Sequence, residues 1–253
     1  QLMPFVQKNQ ICGLAIMYNN QMKLNKKIIK SLNKEKINFI TIDGITCSGK
    51  SLFANLLNKN LKKRSINTLI LSKDLFLFTR KKRIKLTKNL NKKFLNQNNL
   101  HYDLSKLKLL LNFLNGKNKK KTLILKNLYN RKTGKNDLKL KFKFSKKRLI
   151  IFEGIFVNED MKFITKPILK ILIIEKVYES LSRKIERIRD KKISIQNVVT
   201  EFIKIHLESF KKYLIKNDFD NIFADKNRNF VIIKKGKIKQ LFYINQFLFK
   251  HLY

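Results

Sequence analysis

The sequence predicts an α/β domain with a parallel core sheet flanked by helices, a β-hairpin insert and a helical lid. Short apolar, β-branched runs such as residues 37–43 (INFITID) alternate with segments of helical periodicity, which is typical of parallel strands covered on both faces. The first of these runs leads directly into two glycines at a fixed spacing. Residues 138–144 instead alternate apolar and polar side chains, which is typical of a half-exposed hairpin strand.

In the N-terminal half, the pattern predicts a basic helix over 24–36, a strand over 37–43 and a helix over 51–63. We expect Leu52, Phe53, Leu56 and Leu57 to be the inward-facing residues of that second helix. A short strand is predicted over 67–72. Residues 73–100 are basic and irregular, and we expect a long loop with a short helix there. A loop of this length in a compact domain usually carries function.

In the C-terminal half, Asp103 is placed to cap a helix that runs to about Asn115 and ends at Gly116. Two strand-like runs around a turn at 133–134 predict the hairpin. Further elements are predicted in the order strand 148–154, strand 168–175, helix 177–191, helix 195–214, strand 229–233 and helix 240–251. The helical pair, about residues 177–214, is the expected lid.

Residues 44–51 read Gly-Ile-Thr-Cys-Ser-Gly-Lys-Ser and match the pattern G-x-x-x-x-G-K-[ST]. Only glycine permits the bends that let backbone N–H groups surround a phosphate, and the helix N-terminus that follows adds its dipole. Lys50 is expected to reach the β- and γ-phosphates, and Ser51 to bind Mg²⁺. The sequence therefore predicts a P-loop NTPase fold whose nucleotide-binding residues are Gly44, Ile45, Thr46, Cys47, Ser48, Gly49, Lys50, Ser51 and Leu52.

Three further features bear on the reaction. Asp74 follows the strand 67–72, at the sheet edge where ligands bind, and can accept a proton from a hydroxyl; a helix cap or turn is the alternative. Glu153 ends an apolar strand and can support Mg²⁺ directly or through water, or can be an ordinary strand-end residue. Arg183 and Arg187 share one helix face and can stabilise a transferring phosphoryl group, or can form a solvated face.

Together these elements resemble the uridine kinase/phosphoribulokinase family of P-loop small-molecule kinases, in its bacterial uridine-kinase-like branch, over about residues 36–233. The segments that carry the resemblance are IDGITCSGKS, LSKDLF, HYDLSKLKLLLNFLNGK, LYNRKTGKND, LIIFEGIF and LSRKIERIRD. The resemblance implies transfer of a phosphoryl group from ATP to a hydroxyl, with Mg²⁺. It places Asp74 where the family's catalytic base stands, Ser51 and Glu153 at its magnesium site, and Arg183 and Arg187 in its lid, beside the phosphate-loop Lys50.

On the acceptor side, Tyr129 matches an aromatic residue that lies next to the nucleoside in the uridine–cytidine kinase branch. His101 and Arg131 are further acceptor-binding candidates. The position of the histidine that contacts the pyrimidine in that branch falls at or near Gly134 here, so the base-reading histidine is missing. From the resemblance as a whole we predict a nucleoside (uridine- or cytidine-like) or a similar small metabolite as the acceptor.

The formal net charge of +41 is the strongest feature of the composition. Such a surface attracts nucleic acid or an anionic membrane. However, the abundant Lys, Asn, Ile and Phe share AT-rich codons, and the lysines are spread along the chain. Compositional bias therefore explains the charge better than a specific nucleic-acid partner, although a P-loop ATPase that binds nucleic acid, or a degenerate kinase that only binds nucleotide, remains an alternative.

We interpret residues 1–22 as an uncertain N-terminal extension and 23–253 as a single P-loop kinase domain. Cys12 and Cys47 have neither metal-ligand spacing nor a disulfide pattern, and there is no long uncharged apolar run. We expect a cytoplasmic protein that binds ATP and a small-molecule acceptor and no membrane. A homo-oligomer is compatible with the sequence.

Overall fold

The structure is a computed structural model. It describes residues 28–29, 32, 37–88, 99–116, 121–145, 148–161, 164–165, 168–174, 177–188, 194–216, 230–234 and 237–238. Its core sheet contains β1 (Phe39–Gly44), β2 (Thr68–Ser72), β5 (Leu149–Glu153), β6 (Ile168–Ile174), β7 (Phe230–Lys234) and β8 (Lys237–Ile238). The order across the sheet is β2-β5-β1-β6-β7-β8, and all strands are parallel except β8. The predicted parallel sheet is confirmed.

The central strands are buried on both faces, which is why they read as continuous apolar runs. Every residue of β1 and β5 is buried. Alternate residues of these strands enter two separate clusters, so that Ile40 and Ile42 pack on one face and Phe39 on the other. The register pairs Ile42 with Glu153, which brings the carboxyl ends of β1 and β5 side by side.

Helices cover both faces of the sheet. They are α1 (Lys50–Lys62), α2 (Arg80–Lys88), α3 (Leu104–Leu114), α4 (Val157–Asp160), α5 (Val177–Glu186), α6 (Ile195–Glu201) and α7 (Glu208–Lys216). A 3₁₀ turn (Lys73–Phe76) follows β2, and a π-helical segment (Phe202–Leu207) joins α6 to α7. Helix α1 packs on the cluster that contains Ile40, and α3 packs on the cluster that contains Phe39.

The predicted hairpin is a separate antiparallel sheet of β3 (Thr122–Leu128) and β4 (Leu138–Lys143). Leu125 and Phe142 are buried against the α3 side of the core, while the alternating lysines Lys139, Lys141 and Lys143 are exposed. The predicted cap of α3 is confirmed as well, because the Asp103 side chain accepts a hydrogen bond from the N–H of Lys106 at 3.1 Å.

The short helix expected within residues 73–100 is present as α2, although its sequence RKKRIKLTK lacks the apolar period that identifies a helix. Some other expectations need correction. Leu52 is 60% exposed rather than inward, because the helical period places it on the side of α1 opposite the buried Ala54 and Leu57. The helix predicted over 177–191 ends at Glu186, and β8 was not predicted.

Other expectations lie outside the described residues. Residues 1–22, the helix 240–251, Cys12 and most of the helix 24–36 belong to this group, although Ile28, Ile29 and Leu32 are helical and buried. In the described part of the chain, no helix has both the length and the apolar character that a membrane span requires.

Candidate functional site

The phosphate loop connects β1 to α1, and each of its two glycines is required for a different structural reason. A Cβ at Gly44 would lie 2.6 Å from the carbonyl oxygen of Ile173 and 2.8 Å from Ser48 Oγ, so no side chain fits there. Gly49 has a φ of +89° and starts α1 in the left-handed region that favours glycine. The predicted nucleotide-binding residues 44–52 form this loop and the first turn of α1, where free N–H groups favour an anion.

Lys50 is buried within the curve of the loop. Its Nζ donates to the carbonyl oxygen of Ile45 at 2.5 Å and to Ser48 Oγ at 3.4 Å. Burial lowers the pKa of the Lys50 ammonium, and the nearby carboxylates of Glu153, Asp43 and Asp74 oppose that shift. The ammonium is therefore held at the loop by acceptors that a phosphate can replace.

Ser51 and Glu153 meet at the ends of α1 and β5. Ser51 Oγ donates to Glu153 Oε2 at 3.1 Å. A hydroxyl and a carboxylate are oxygen ligands of the kind that Mg²⁺ uses, and Mg²⁺ in such sites takes its remaining ligands from water and phosphates. Among the described residues, no group of three or more His, Cys, Asp or Glu side chains can hold a metal alone. The residues present therefore fit a magnesium ion that arrives with a nucleotide.

A pocket of about 660 Å³ opens beside this pair. Asp74 lies in its wall on the 3₁₀ turn, whose start is fixed by a hydrogen bond from the N–H of Asp74 to Ser72 Oγ. The lining residues come from α1, β2, the turn, the hairpin and β5: Ser51, Asn55, Ile70, Ser72, Asp74, Leu75, Tyr129, Asn130, Arg131, Lys132, Leu138 and Glu153. The structure thus brings Asp74, Ser51, Glu153, Tyr129 and Arg131 to one cavity.

The acceptor-side candidates separate in the structure. Tyr129 lines the pocket, and its hydroxyl accepts a hydrogen bond from Arg83 Nη2 at 3.2 Å. Arg131 Nη1 lies 4.0 Å from Asp74 Oδ2. His101 stands outside the pocket lining, where burial and then the Arg83 charge lower its pKa. Arg83 itself carried no sequence signal, because basic residues occur throughout this chain.

Of the two lid arginines, one reaches the phosphate loop. Arg183 Nη1 donates to the carbonyl oxygen of Cys47 at 3.3 Å, and its Nη2 donates to Glu179 at 3.2 Å. Arg187 lies one turn further along, exposed just after the end of α5. On the next lid helix, Glu201 forms an ion pair with Lys184 and a hydrogen bond with the His206 ring, both at 3.3 Å. These contacts hold α5 to the segment that follows it.

Sequence reasoning missed Asp43, the last charged residue before the loop. It is fully buried, and its carboxylate accepts from the N–H groups of Gly44, Phe156 and Asn158 and from the hydroxyl of Tyr213 at 2.6 Å. Burial raises the pKa of Asp43, and these hydrogen bonds oppose the shift. A carboxylate at the end of a buried, mostly apolar strand was the available signal.

A second missed pair lies behind Asp74. Lys73 is fully buried, and its Nζ lies 2.7 Å from Asp160 Oδ2 and donates to Asn99 Oδ1 at 2.8 Å. The ammonium also stands 4.7 Å from the centre of the Tyr102 ring. This pair joins the turn that carries Asp74 to α4 and to the segment before α3.

Comparison with known proteins adds a family. Residues 39–226 match the model described as Phosphoribulokinase / Uridine kinase family. The structure is similar to that of a possible uridine kinase from Bacillus stearothermophilus, with 19% identity, a TM-score of 0.58, and coverage of 81% of this chain and 95% of that one. It is also similar to D-glycerate 3-kinase from Cryptococcus neoformans var. grubii, with 12% identity, a TM-score of 0.56, and coverage of 86% and 96%. No curated protein matches the sequence.

Proposed function

The chain belongs to the phosphoribulokinase/uridine kinase family of P-loop kinases, and from this premise we propose that it phosphorylates a hydroxyl of a nucleoside or a similar small metabolite. The donor is ATP with Mg²⁺. One observation carries the proposal: Asp74 shares a single pocket with the Ser51–Glu153 pair beside the phosphate loop. A hydroxyl bound there lies between a carboxylate and the place where a γ-phosphate ends.

In this mechanism the chain positions two substrates and stabilises charge. The backbone N–H groups of residues 44–51 and the Lys50 ammonium bind the β- and γ-phosphates. Ser51 and Glu153 would hold Mg²⁺, which would supply positive charge next to the phosphates. Arg183, already at the loop through Cys47, turns its guanidinium toward the γ-phosphoryl group.

Asp74 is the proposed general base. Its carboxylate accepts the proton of the acceptor hydroxyl as that oxygen forms a bond to the γ-phosphorus, and ADP leaves as the bridging P–O bond breaks. Tyr129 packs beside the acceptor, held in place by Arg83. The lid helices exclude water from the transferring group.

Asp74→Asn tests this role. We expect turnover to fall about 10²- to 10⁴-fold, the usual contribution of a general base, while the affinity for ATP is retained. The measurement is ADP release with Mg²⁺-ATP over a panel of nucleosides and small hydroxylated metabolites, together with direct nucleotide binding. Glu208→Gln, which removes an exposed carboxylate on α7, is the control. Near-normal turnover of Asp74→Asn would remove the base assignment.

A further inference from the structure

Helix α2 concentrates positive charge beside the pocket. Six of its nine residues are Lys or Arg and none is acidic. Most of these side chains are exposed, so like charges three and four positions apart repel each other and weaken the helix. The basic residues therefore destabilise α2 by themselves, and a bound anion would offset this repulsion.

This charge is not spread evenly over the molecule. Residues 121–145, which form the hairpin, contain eight basic residues and one acidic residue, Asp137. The lid helices, by contrast, carry Glu179, Glu186, Glu201 and Glu208 among their basic residues. Among these described elements, the acidic residues therefore lie mainly on the lid helices and not on α2 or the hairpin. Arginine is scarce, yet three of the nine arginines of the chain (Arg80, Arg83 and Arg131) lie on α2 and at the hairpin turn.

Aromatic rings stand under two of these cations. Lys82 Nζ lies 3.7 Å from the centre of the Phe78 ring, and the Arg83 guanidinium lies 5.3 Å from the centre of the Tyr129 ring. Both rings are half-buried. Partly exposed aromatic faces next to cations are the surface on which single-stranded nucleic acids stack their bases and place their phosphates.

The same surface reaches the proposed base. Tyr129, Arg131 and Lys132 line the pocket together with Asp74. The Arg131 side chain is 67% exposed, and its 4.0 Å approach to Asp74 is too long for a hydrogen bond, so the pair is weak. An anionic group on the acceptor can therefore take Arg131 away from Asp74. When the hydroxyl of an acceptor lies at Asp74, the Arg131 guanidinium lies next to the substituents on the neighbouring atoms of that acceptor.

From these contacts we propose that the acceptor is a nucleoside with a phosphate on its 3′ side, phosphorylated at its 5′-hydroxyl. This inference rests on the proposed function and narrows its acceptor. Arg131 and Lys132 bind the 3′-phosphate, and α2 with the outer face of the hairpin follows any further phosphodiesters. The 5′-oxygen forms a bond to the γ-phosphorus of ATP, its proton passes to Asp74, and ADP leaves with the electrons of the broken P–O bond.

The 3′-phosphate has two sources, a free nucleoside 3′-monophosphate and the 5′ end of a strand. The test compares kcat/KM for ADP release with the four ribonucleosides, their 3′-monophosphates and a mixed-sequence ten-nucleotide strand with a free 5′-hydroxyl. We expect the phosphate-bearing acceptors to exceed the nucleosides about tenfold or more, and salt to affect the strand more steeply than the monophosphates if α2 binds the backbone. Nucleosides that are equal or better acceptors would overturn the inference and leave the proposed function intact.

Binding is measured separately by fluorescence anisotropy of a 3′-labelled strand, so that a failure of catalysis is distinguishable from a failure of recognition. The variant Arg80→Gln/Lys81→Gln/Lys82→Gln is expected to weaken strand binding about tenfold. The matched control, Lys59→Gln/Lys62→Gln/Lys63→Gln, removes three exposed charges at the far end of α1 and should bind the strand like the wild type. Equal losses in both triple variants, or no strand binding by the wild type, would remove α2 as a site for phosphodiesters and exclude the strand, so that a preference for phosphate-bearing acceptors would then identify the free nucleoside 3′-monophosphate.

Discussion

Replacing Lys73 with methionine should destabilise the protein by an amount that depends on pH. The substitution keeps the length of the buried side chain but removes the charge that lies 2.7 Å from Asp160. Because Asp160 is only 7% exposed, an ionised carboxylate left there without its partner is strongly disfavoured. The carboxyl will instead take up a proton when the chain folds.

The size of this effect follows from the pKa of Asp160, which burial raises to about 6 against the opposing attraction of Lys73. In the wild type, pH 7 lies about one pH unit above the pKa of Asp160, so the ionised carboxylate is favoured over the protonated form by about 1.4 kcal/mol. Loss of Lys73 costs at most this amount of stability, since the Asp160 carboxyl can take up a proton instead of remaining ionised without a partner. At pH 5 the carboxyl is already protonated in both proteins, so this part of the difference disappears.

A second part does not depend on pH. Lys73 also donates to Asn99 and lies over the Tyr102 ring, and the loss of a hydrogen bond from a charged group costs about 2 kcal/mol. The expected loss in unfolding free energy is therefore about 3 kcal/mol at pH 7 and about 2 kcal/mol at pH 5. The direction of the pH dependence follows from the raised pKa of Asp160, because a group of this kind contributes less to the unfolding free energy as the pH rises through 6.

Urea denaturation followed by circular dichroism at pH 5 and pH 7 measures both parts. The exposed substitution Lys81→Met is the control and should change stability by less than about 0.5 kcal/mol. In Lys73→Met/Asp160→Asn the titrating group is gone, so the variant should lose the extra destabilisation that Lys73→Met shows at pH 7. An equal loss for Lys73→Met at both pH values would refute the assignment of the pH-dependent part to Asp160.

Three further predictions concern the loop and its supports. Alkylation of Cys47 should slow at saturating ATP, because the thiol lies inside the phosphate loop; unchanged kinetics would count against nucleotide binding there. Tyr213→Phe removes the 2.6 Å hydrogen bond to Asp43 and should lower the unfolding free energy by about 1–3 kcal/mol in urea titration. Gly154→Ala would place a Cβ 2.6 Å from Lys73 Cβ and should destabilise by about 1–3 kcal/mol, and a melting temperature equal to the wild type would contradict the close packing.

The parts of the fold that could be predicted are those whose signal is local. Apolar runs identified the central strands, and Asp103 with Gly116 marked both ends of α3. Glu153 could be placed beside the phosphate loop because parallel strands end at one edge of the sheet. A short helix was expected within residues 73–100, but the bounds of α2 could not be predicted, since its exposed sequence has no apolar stripe. Its charge could not be separated from the composition of the whole chain.

The contacts that support the site could not be predicted, because they join residues distant in sequence. Lys73 and Asp160 come together across the 3₁₀ turn and α4, and nothing around either residue indicates a partner. A fully buried lysine beside the candidate base contradicts the ordinary expectation that lysines are solvated. Tertiary packing decides such positions, so the composition of the chain could not single out this lysine.

The lid is attached to the phosphate loop at two places of unequal strength. At its C-terminal end, the buried hydroxyl of Tyr213 donates to Asp43, whose carboxylate also accepts the N–H of Gly44 at the start of the loop. At its N-terminal end, the half-exposed Arg183 makes a 3.3 Å hydrogen bond to the Cys47 carbonyl oxygen, where water competes. A buried charge-assisted hydrogen bond is stronger than a solvent-exposed one. The contact of α5 with the phosphate loop is therefore the weaker of the two, while α7 is held to β1 through Asp43.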